Sequence, residues 1–499
     1  MPPFQLNDPS LLHEASLRNG EWVQSQTGKT FPVEDPGTGQ TWASAPANDR
    51  SDVDQYVETS HLAFKNWRHT NPRERAKLLL KWHELVSQNK EDIANIVVYE
   101  TGKPKVEAIG EVDYALGFLW WFAGEAERIR GSVAIPSVSD RRTFVIKQPI
   151  GVCVALVPWN FPVAMILRKV AAALAAGCTM IIKPSPETPL SVMTLADLAQ
   201  RAGIPSGVIN VISTDNTNTP AVSERLCKHP LVRKVTFTGS TAIGSLIAKQ
   251  CAEGLKKATM ELGGNCPFIV FDDGNLDDAV AALMILKWRT AGQACTHANR
   301  VYVQKGVYEK FAGLLVEATK KRIKVGHGSA DGVTMGPLTT ARGVQKLERH
   351  VSDAISKGGK LLHGGKVPDD LDSACGKGYF FEPTIISGMT SDMLTSTEEV
   401  FGPLLGLYPF ETEEEAVEMA NNTSMGLASY FFTRDVDRTW RMLESLEAGM
   451  IGMNTGNASG AESPFGGIKE SGYGKEAGKD VAIEEYLISK TGTLTVHPS

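Results

Sequence analysis

Residues 152–183, VCVALVPWNFPVAMILRKVAAALAAGCTMIIK, decide the fold. VCVALV and TMIIK are short apolar runs of the kind that form buried strands. Between them, residues 163–176 carry helical spacing and stop at Gly177, a residue suited to the left-handed turn that ends helices. Strand, helix and strand in succession make a βαβ unit, which implies a parallel sheet covered by helices. The alternation continues outward. A helix is predicted over 190–202, strands at VINVI (208–212) and KVTFT (234–238), a helix from Thr241, and strands at ATMEL and PFIVF. This is an α/β, doubly wound pattern, and ligands of such sheets bind in loops beyond the carboxyl ends of the strands.

A second α/β stretch follows residue 275, with a helix over 276–289, strand RVYVQ, a helix over 307–322 and further elements to about residue 475. Upstream, residues 51–128 read as helices, and the last of them carries Phe118, Trp120, Trp121 and Phe122. Such an aromatic cluster is core or subunit packing more often than a ligand box. The tail from 482 to 496 alternates like a strand that pairs elsewhere. With the strand near 143–150 it is predicted to form a small protruding sheet for subunit contact.

At 499 residues the chain is long enough for two large units, or two and a small appendage. A net charge of −6 gives no reason for a strongly basic face, so nucleic acid and membrane partners are not expected. The first twenty residues show neither a signal nor a transit pattern, and TVHPS at the end is no address signal. The longest apolar stretch is broken by Pro158, Asn160, Pro162, Arg168, Lys169 and Gly177, so no membrane span is expected. Seven cysteines, without a C-x-x-C pair, predict reduced thiols and a cytoplasmic location. Ten scattered histidines lack ligand spacing, so no metal site is expected.

Four segments carry chemistry. KWRTAGQACTHANR puts Cys295 in a turn of small residues, where a substrate could approach the sulfur; the remaining cysteines read as small buried hydrophobes. MELGG places Glu261 at a strand end beside a Gly-Gly turn, suited to a general base, though a cap or a surface ion pair reads equally well. In VPWNFP two prolines fix the backbone around Asn160, whose amide could serve an oxyanion hole. TFTGSTAIG opens a helix at Gly239, Ser240 and Gly244, where a pyrophosphate could sit, although this spacing alone is a weak signal. Lys183, at another strand end, could reach a ribose or phosphate or be unremarkable.

PWNFP, KP-x-x-x-TP, FTGS-x-x-x-G, ELGG, GQ-x-C, EEVFGP and PFGG-x-K-x-SG follow one another between residues 158 and 472. In this order they resemble the aldehyde dehydrogenase superfamily, and the likeness extends over nearly the whole chain. The resemblance implies a Rossmann-type NAD or NADP domain over 1–128 and 148–260, a catalytic domain over 261–475, and oligomerisation segments at 129–147 and 476–499 of a homodimer or homotetramer. It implies that Cys295 attacks the aldehyde, that the Asn160 amide and the Cys295 N–H stabilise the oxyanion, and that Glu261 activates water against the thioester. Lys183 and Glu399 are implied on the riboses, Ser240 and the 239–244 turn on the pyrophosphate, Phe401 by the nicotinamide, and Trp159 along the cofactor loop.

GFLWWFAGEAERIRG, KQPIGVC, GLASYFFTRD and IEEYL are most similar to the succinate-semialdehyde dehydrogenase group. That group holds its substrate's distal carboxylate with two arginines and a serine, which match Arg168, Arg289 and Ser459; Phe465 is placed with them. Arginine's planar fork suits a carboxylate. Alternatively Arg289 serves a helix C-terminus and Arg168 is a solvated helix residue. Two departures stand out. His297 occupies the position where some of the group carry a second cysteine, so no disulfide switch is expected, and a Cys–His hydrolase lacks its scaffold. Pro186 stands where members preferring NAD often have glutamate, with Glu187 one residue on, so NADP use stays open. The other readings are a broad aliphatic or aromatic aldehyde dehydrogenase, a CoA-acylating relative, disfavoured by Glu261, and a catalytically silent relative.

Overall fold

The structure is a computed structural model that describes residues 2–371 and 375–497. Met1, residues 372–374 and the last two residues of the predicted 476–499 segment lie outside the described residues. Its first sheet has eight strands. At the centre, Val152–Leu156 pairs in parallel with Thr179–Lys183 on one side and with Val232–Thr238 on the other. Ile209–Val211 extends the first side and Lys257–Glu261 the second, both in parallel. Since the chain runs outward to one side and then to the other, the switch point falls between Val152–Leu156 and Val232–Thr238. Helices Pro162–Ala176, Pro189–Arg201 and Thr241–Ala252 form the crossovers.

Two strands close this sheet from a distance. Ser16–Arg18 adds antiparallel to Ile209–Val211, and Gly472–Tyr473 adds antiparallel to Lys257–Glu261. Gly472 needs its φ of +113° there, and a side chain on it would lie 1.8 Å from the Met260 carbonyl oxygen. The second sheet has seven strands, with Cys266–Val270 and Ala298–Gln304 at its centre. Apolar clusters run through both sheets and the helices between them.

The tail strand, Leu487–Thr495, pairs antiparallel with Arg141–Pro149 through nine successive positions. Residues 479–484, part of which were read as strand, form a short helix instead. The helix before the nucleophile stops at Trp288, one residue short of the expected 289, because Arg289 leaves the helix at ψ 140°. Within the stretch 51–128 that reads as helices, Lys90–Thr101 forms a helix whose residues are buried on several sides, so no single apolar stripe marks its bounds. No described helix is long and apolar enough to cross a membrane, and no metal-ligand cluster occurs among the described residues.

Candidate active site

The parallel strands bring their carboxyl ends to one edge. Register aligns Leu156 with Lys183 and with Phe237, and Thr238 with Glu261. Trp159 and Asn160, Lys183, Gly239, Ser240 and Glu261 therefore lie along a single crevice, although they are scattered over a hundred residues. Ser240 caps helix Thr241–Ala252 by backbone geometry, but its hydroxyl makes no capping bond. Gly244 lets that helix settle on the neighbouring loop, since a side chain there would lie 2.1 Å from Leu262. Lys183 is 5% exposed and forms no ion pair among the described residues. Burial lowers its ammonium to about 8, with Glu187 opposing the shift. Glu399 accepts the Gly264 N–H at 3.0 Å, and Phe401, at φ +51°, meets Trp159 edge-on at 5.5 Å. An orphaned buried lysine, a free helix N-terminus and an aromatic pair along one crevice fit a phosphate-bearing dinucleotide.

Cys295 follows a strained turn. Thr290, Ala291 and Gly292 are successively left-handed, at φ 53°, 49° and 73°. Each such non-glycine residue costs on the order of 1–3 kcal/mol. The turn is held by the Thr290 N–H on Glu107 at 2.7 Å and by Gln293, which donates to the Thr290 carbonyl and accepts from the Thr339 N–H. Gly264 and Gly292 allow close packing, because a side chain on either would fall 2.2 and 2.1 Å from the carbonyl oxygens of Cys295 and Gly402. Cys295 is partly exposed, whereas the other six cysteines are buried. Its thiol is held well above the usual thiol range by desolvation first, then by Glu399 and Glu261, with Arg168 opposing.

Asn160 is buried, and its Nδ2 donates one hydrogen to the Gln293 carbonyl at 2.9 Å, leaving the second hydrogen free. Its own carbonyl accepts from Lys103 Nζ at 2.8 Å. Lys103 pairs with Glu111, whose other oxygen takes the Val163 and Ala164 N–H groups at the start of helix Pro162–Ala176. One buried ion pair thus fixes both the Asn160 loop and the helix carrying Arg168.

Glu261 is 1% exposed and neither carboxylate oxygen has a hydrogen-bond partner. Burial first, and then Glu476, push its carboxyl well above the usual range, while Lys169 and Arg168 oppose. Burial would raise Glu476 too, but Lys169 and Arg168 outweigh it and keep that carboxylate ionised. Glu476 pairs with Lys169 and accepts the Thr236 hydroxyl at 2.7 Å. Gly466 lies against Glu261, where a side chain would approach Oε1 to 2.7 Å.

Arg168 is 2% exposed and lies between aromatic rings, with its guanidinium 4.0 Å from the Phe465 centroid and 4.9 Å from Phe118. Nη2 donates to the Tyr114 hydroxyl at 2.9 Å, and that hydroxyl is 3.2 Å from Ser459 Oγ. Arg168, Phe465 and Ser459 are therefore brought together as the sequence implied. Arg289 stands outside this chain of contacts, exposed and 5.4 Å from the Phe161 centroid. His297 is buried; desolvation, then Lys287 and Arg289, hold it well below its ordinary value, so it is neutral. Tyr114, Lys103, Glu111, Lys169 and Glu476 were not singled out from the sequence. Only Lys169, beside Arg168, and Glu476, just after the SG of the last motif, had positions that could have flagged them.

Residues 22–491 match the model of the aldehyde dehydrogenase family. The chain is 48% identical to 3-sulfolactaldehyde dehydrogenase of Pseudomonas putida, covering 97% of each chain. It is 46% identical to glutarate-semialdehyde dehydrogenase of the same species, over 99% of this chain and 100% of the relative. A crystal structure of succinate-semialdehyde dehydrogenase from Burkholderia pseudomallei superposes with a TM-score of 0.95 at 44% identity, covering 99% of this chain and all of the other. These likenesses make the chain a member of the aldehyde dehydrogenase family. It is an aldehyde dehydrogenase that uses NAD or NADP.

Proposed function

We propose that the protein oxidises short aldehydes bearing a distal anionic group, foremost succinate semialdehyde, to the corresponding acids. Arg168 carries the substrate half of this reading: its buried guanidinium feels the charges of Glu476 and Glu261, yet Nε and Nη1 have no acceptor, which an anion could supply. The relatives named above act on aldehydes with carboxylate or sulfonate tails, which supports the same class.

In this reading the Cys295 thiolate forms a C–S bond to the aldehyde carbon. The free Nδ2 hydrogen of Asn160 and the Cys295 backbone N–H hold the resulting oxyanion. The bound dinucleotide supplies the hydride acceptor, so the carbon is left as a thioester. Glu261 takes a proton from water, the water oxygen attacks the thioester carbon, and the C–S bond breaks to release the acid. Lys183 and Glu399 would hold the two riboses, and Ser240 with the 239–244 turn the pyrophosphate, beside Trp159 and Phe401. Pro186 stands three residues after Lys183, while the Glu187 carboxylate accepts the Ser185 hydroxyl and acts on Lys183, so both NAD+ and NADP+ enter the test below. Asn160→Ala is expected to lower kcat by about 10²–10³ with little change in KM; an unchanged kcat would remove the amide from the oxyanion site.

We assign residues 1–128 and 148–260 to cofactor binding, 261–475 to catalysis, and 129–147 and 476–499 to self-association. Exposed Val133, Phe144, Ile146 and Leu494 on the three-stranded sheet, with exposed Ile135 just beyond its Ser132–Ala134 strand, support a homodimer or homotetramer. Seven cysteines without a C-x-x-C pair suit a cytoplasmic setting. The deciding experiment is a kinetic matrix of succinate semialdehyde, glutarate semialdehyde, 3-sulfolactaldehyde, butanal and benzaldehyde against NAD+ and NADP+. A kcat/KM for the anionic aldehydes at least about tenfold above butanal supports the reading. Equal values would make this a broad aldehyde dehydrogenase.

A further inference from the structure

We propose that Glu107 is a positioning residue for the oxyanion site, holding the turn before Cys295 and with it the spacing of the Asn160 amide and the Cys295 N–H. The inference rests on the oxyanion roles given to those two groups above and names what fixes them in place.

The turn needs outside support. Thr290, Ala291 and Gly292 run left-handed in succession, a conformation that persists only where surrounding contacts fix it. Two contacts are internal: the Gln293 backbone N–H and its Nε2 both donate to the Thr290 carbonyl at 3.0 Å. The Thr290 N–H instead leaves the loop and donates to a Glu107 carboxylate oxygen at 2.7 Å. Glu107 lies in the first turn of helix Lys105–Ala126, 183 residues away in the chain. It forms no ion pair among the described residues, although the charges of Lys103 and Arg289 act on it. Burial raises its carboxyl to about 7, with the Thr290 N–H, Lys103 and Arg289 opposing. A desolvated carboxylate is thus devoted to one backbone N–H, and a charge-assisted bond of this kind is roughly twice as strong as a neutral one.

Gln293 carries the effect to the oxyanion site. It stands two residues before Cys295, and its carbonyl accepts the Asn160 Nδ2 hydrogen at 2.9 Å. The Asn160 loop is held from its other side by Lys103, four residues before Glu107, whose Nζ donates to the Asn160 carbonyl at 2.8 Å. One short stretch of chain, 103–107, therefore grips both halves of the site. Lys103 holds the loop that bears the amide, and Glu107 holds the turn that leads to the sulfur. Donors to an oxyanion act by being fixed before the charge develops, so a relaxed turn would slow the reaction without weakening aldehyde binding.

The test is a double-mutant cycle of Glu107→Ala and Asn160→Ala, read as kcat and KM on the alkaline side of the Glu107 titration. Glu107→Ala is expected to lower kcat by about 10- to 100-fold, with KM within about threefold of wild type. In the Asn160→Ala background the same change should cost less than about threefold, because the amide it positions is gone. Glu107→Gln keeps an acceptor oxygen for the Thr290 N–H and should recover kcat to within about tenfold of wild type. Losses that multiply across the cycle would give Glu107 a role apart from the oxyanion site and overturn the proposal, as would a glutamine variant no faster than the alanine one. If the alanine variant does not fold, the glutamine variant carries the cycle, and a loss that persists undiminished beside Asn160→Ala is the overturning result. If Asn160→Ala alone leaves kcat unchanged, the oxyanion reading fails and takes this inference with it. If Asn160→Ala slows turnover and Glu107→Ala does not, only the inference fails.

Discussion

Cys295→Ser is expected to lower kcat for aldehyde oxidation by at least about 10³-fold while leaving the fold intact. Serine is nearly isosteric, so the 290–292 turn and the packing of Gly264 against the Cys295 carbonyl persist. What changes is the nucleophile. Desolvation, then Glu399 and Glu261, hold that thiol above its ordinary range, with Arg168 opposing. A hydroxyl in the same place starts from a far higher pKa and forms a poorer leaving group when the acyl-enzyme breaks down. The other six cysteines are buried, including Cys266, whose Sγ donates to the Cys295 carbonyl oxygen at 3.3 Å, so none of them is placed to take over. The rate is read as NADH or NADPH formation, and thermal melting within a few degrees of wild type shows that folding is retained. A serine variant with more than a tenth of wild-type activity would remove Cys295 from the mechanism. Alkylation makes an independent check: one carboxamidomethyl group per chain, located at Cys295, should coincide with full loss of activity.

Glu261→Gln should separate the two halves of the reaction. Attack and hydride loss do not use the carboxylate as base, so a burst of about one reduced cofactor per site is expected at near wild-type speed. Steady turnover should then fall by about 10²–10⁴-fold, the usual contribution of a positioned base. In wild type the base form is the ionised one, and burial together with Glu476 raises its pKa. Steady turnover should therefore climb as pH rises through a limb above the usual carboxylate range, and fall below it. The glutamine variant should lack that limb. Equal steady rates for variant and wild type, or a limb retained by the variant, would transfer the role of base to another group.

Much of this molecule was legible in the chain because its signals are local. Short apolar strands flanked by helical spacing identify Val152–Leu156 and Thr179–Lys183 without any partner in view, and Gly177 marks the helix end by its φ of +91°. Seven ordered motifs indicated the chemistry, and Cys295 emerged as the one cysteine of seven that is not buried. The bounds of helix Lys90–Thr101, inside the stretch that reads as helices, are not legible because it is enclosed on several faces, which erases the periodicity that marks a helix with one wet side.

The environment of each group was another matter. Sequence alone placed Glu261 at a strand end and left open whether it was a base or a cap. Its desolvation, its missing partners and the charge of Glu476, 215 residues away, arise only when strand Lys257–Glu261 pairs with Gly472–Tyr473. Arg168 could likewise be matched by position as a carboxylate ligand, but its aromatic enclosure and its hydrogen bond to Tyr114 depend on the contact of two helices and a distant loop. The chain by itself determined the fold class, the order of the elements and which side chains are candidates for the chemistry, since these follow from periodicity, residue type and the order of the motifs. The tertiary structure decided how strongly each was desolvated, which charge it faced and which neighbour held it, because those depend on dielectric and distance between segments far apart in sequence.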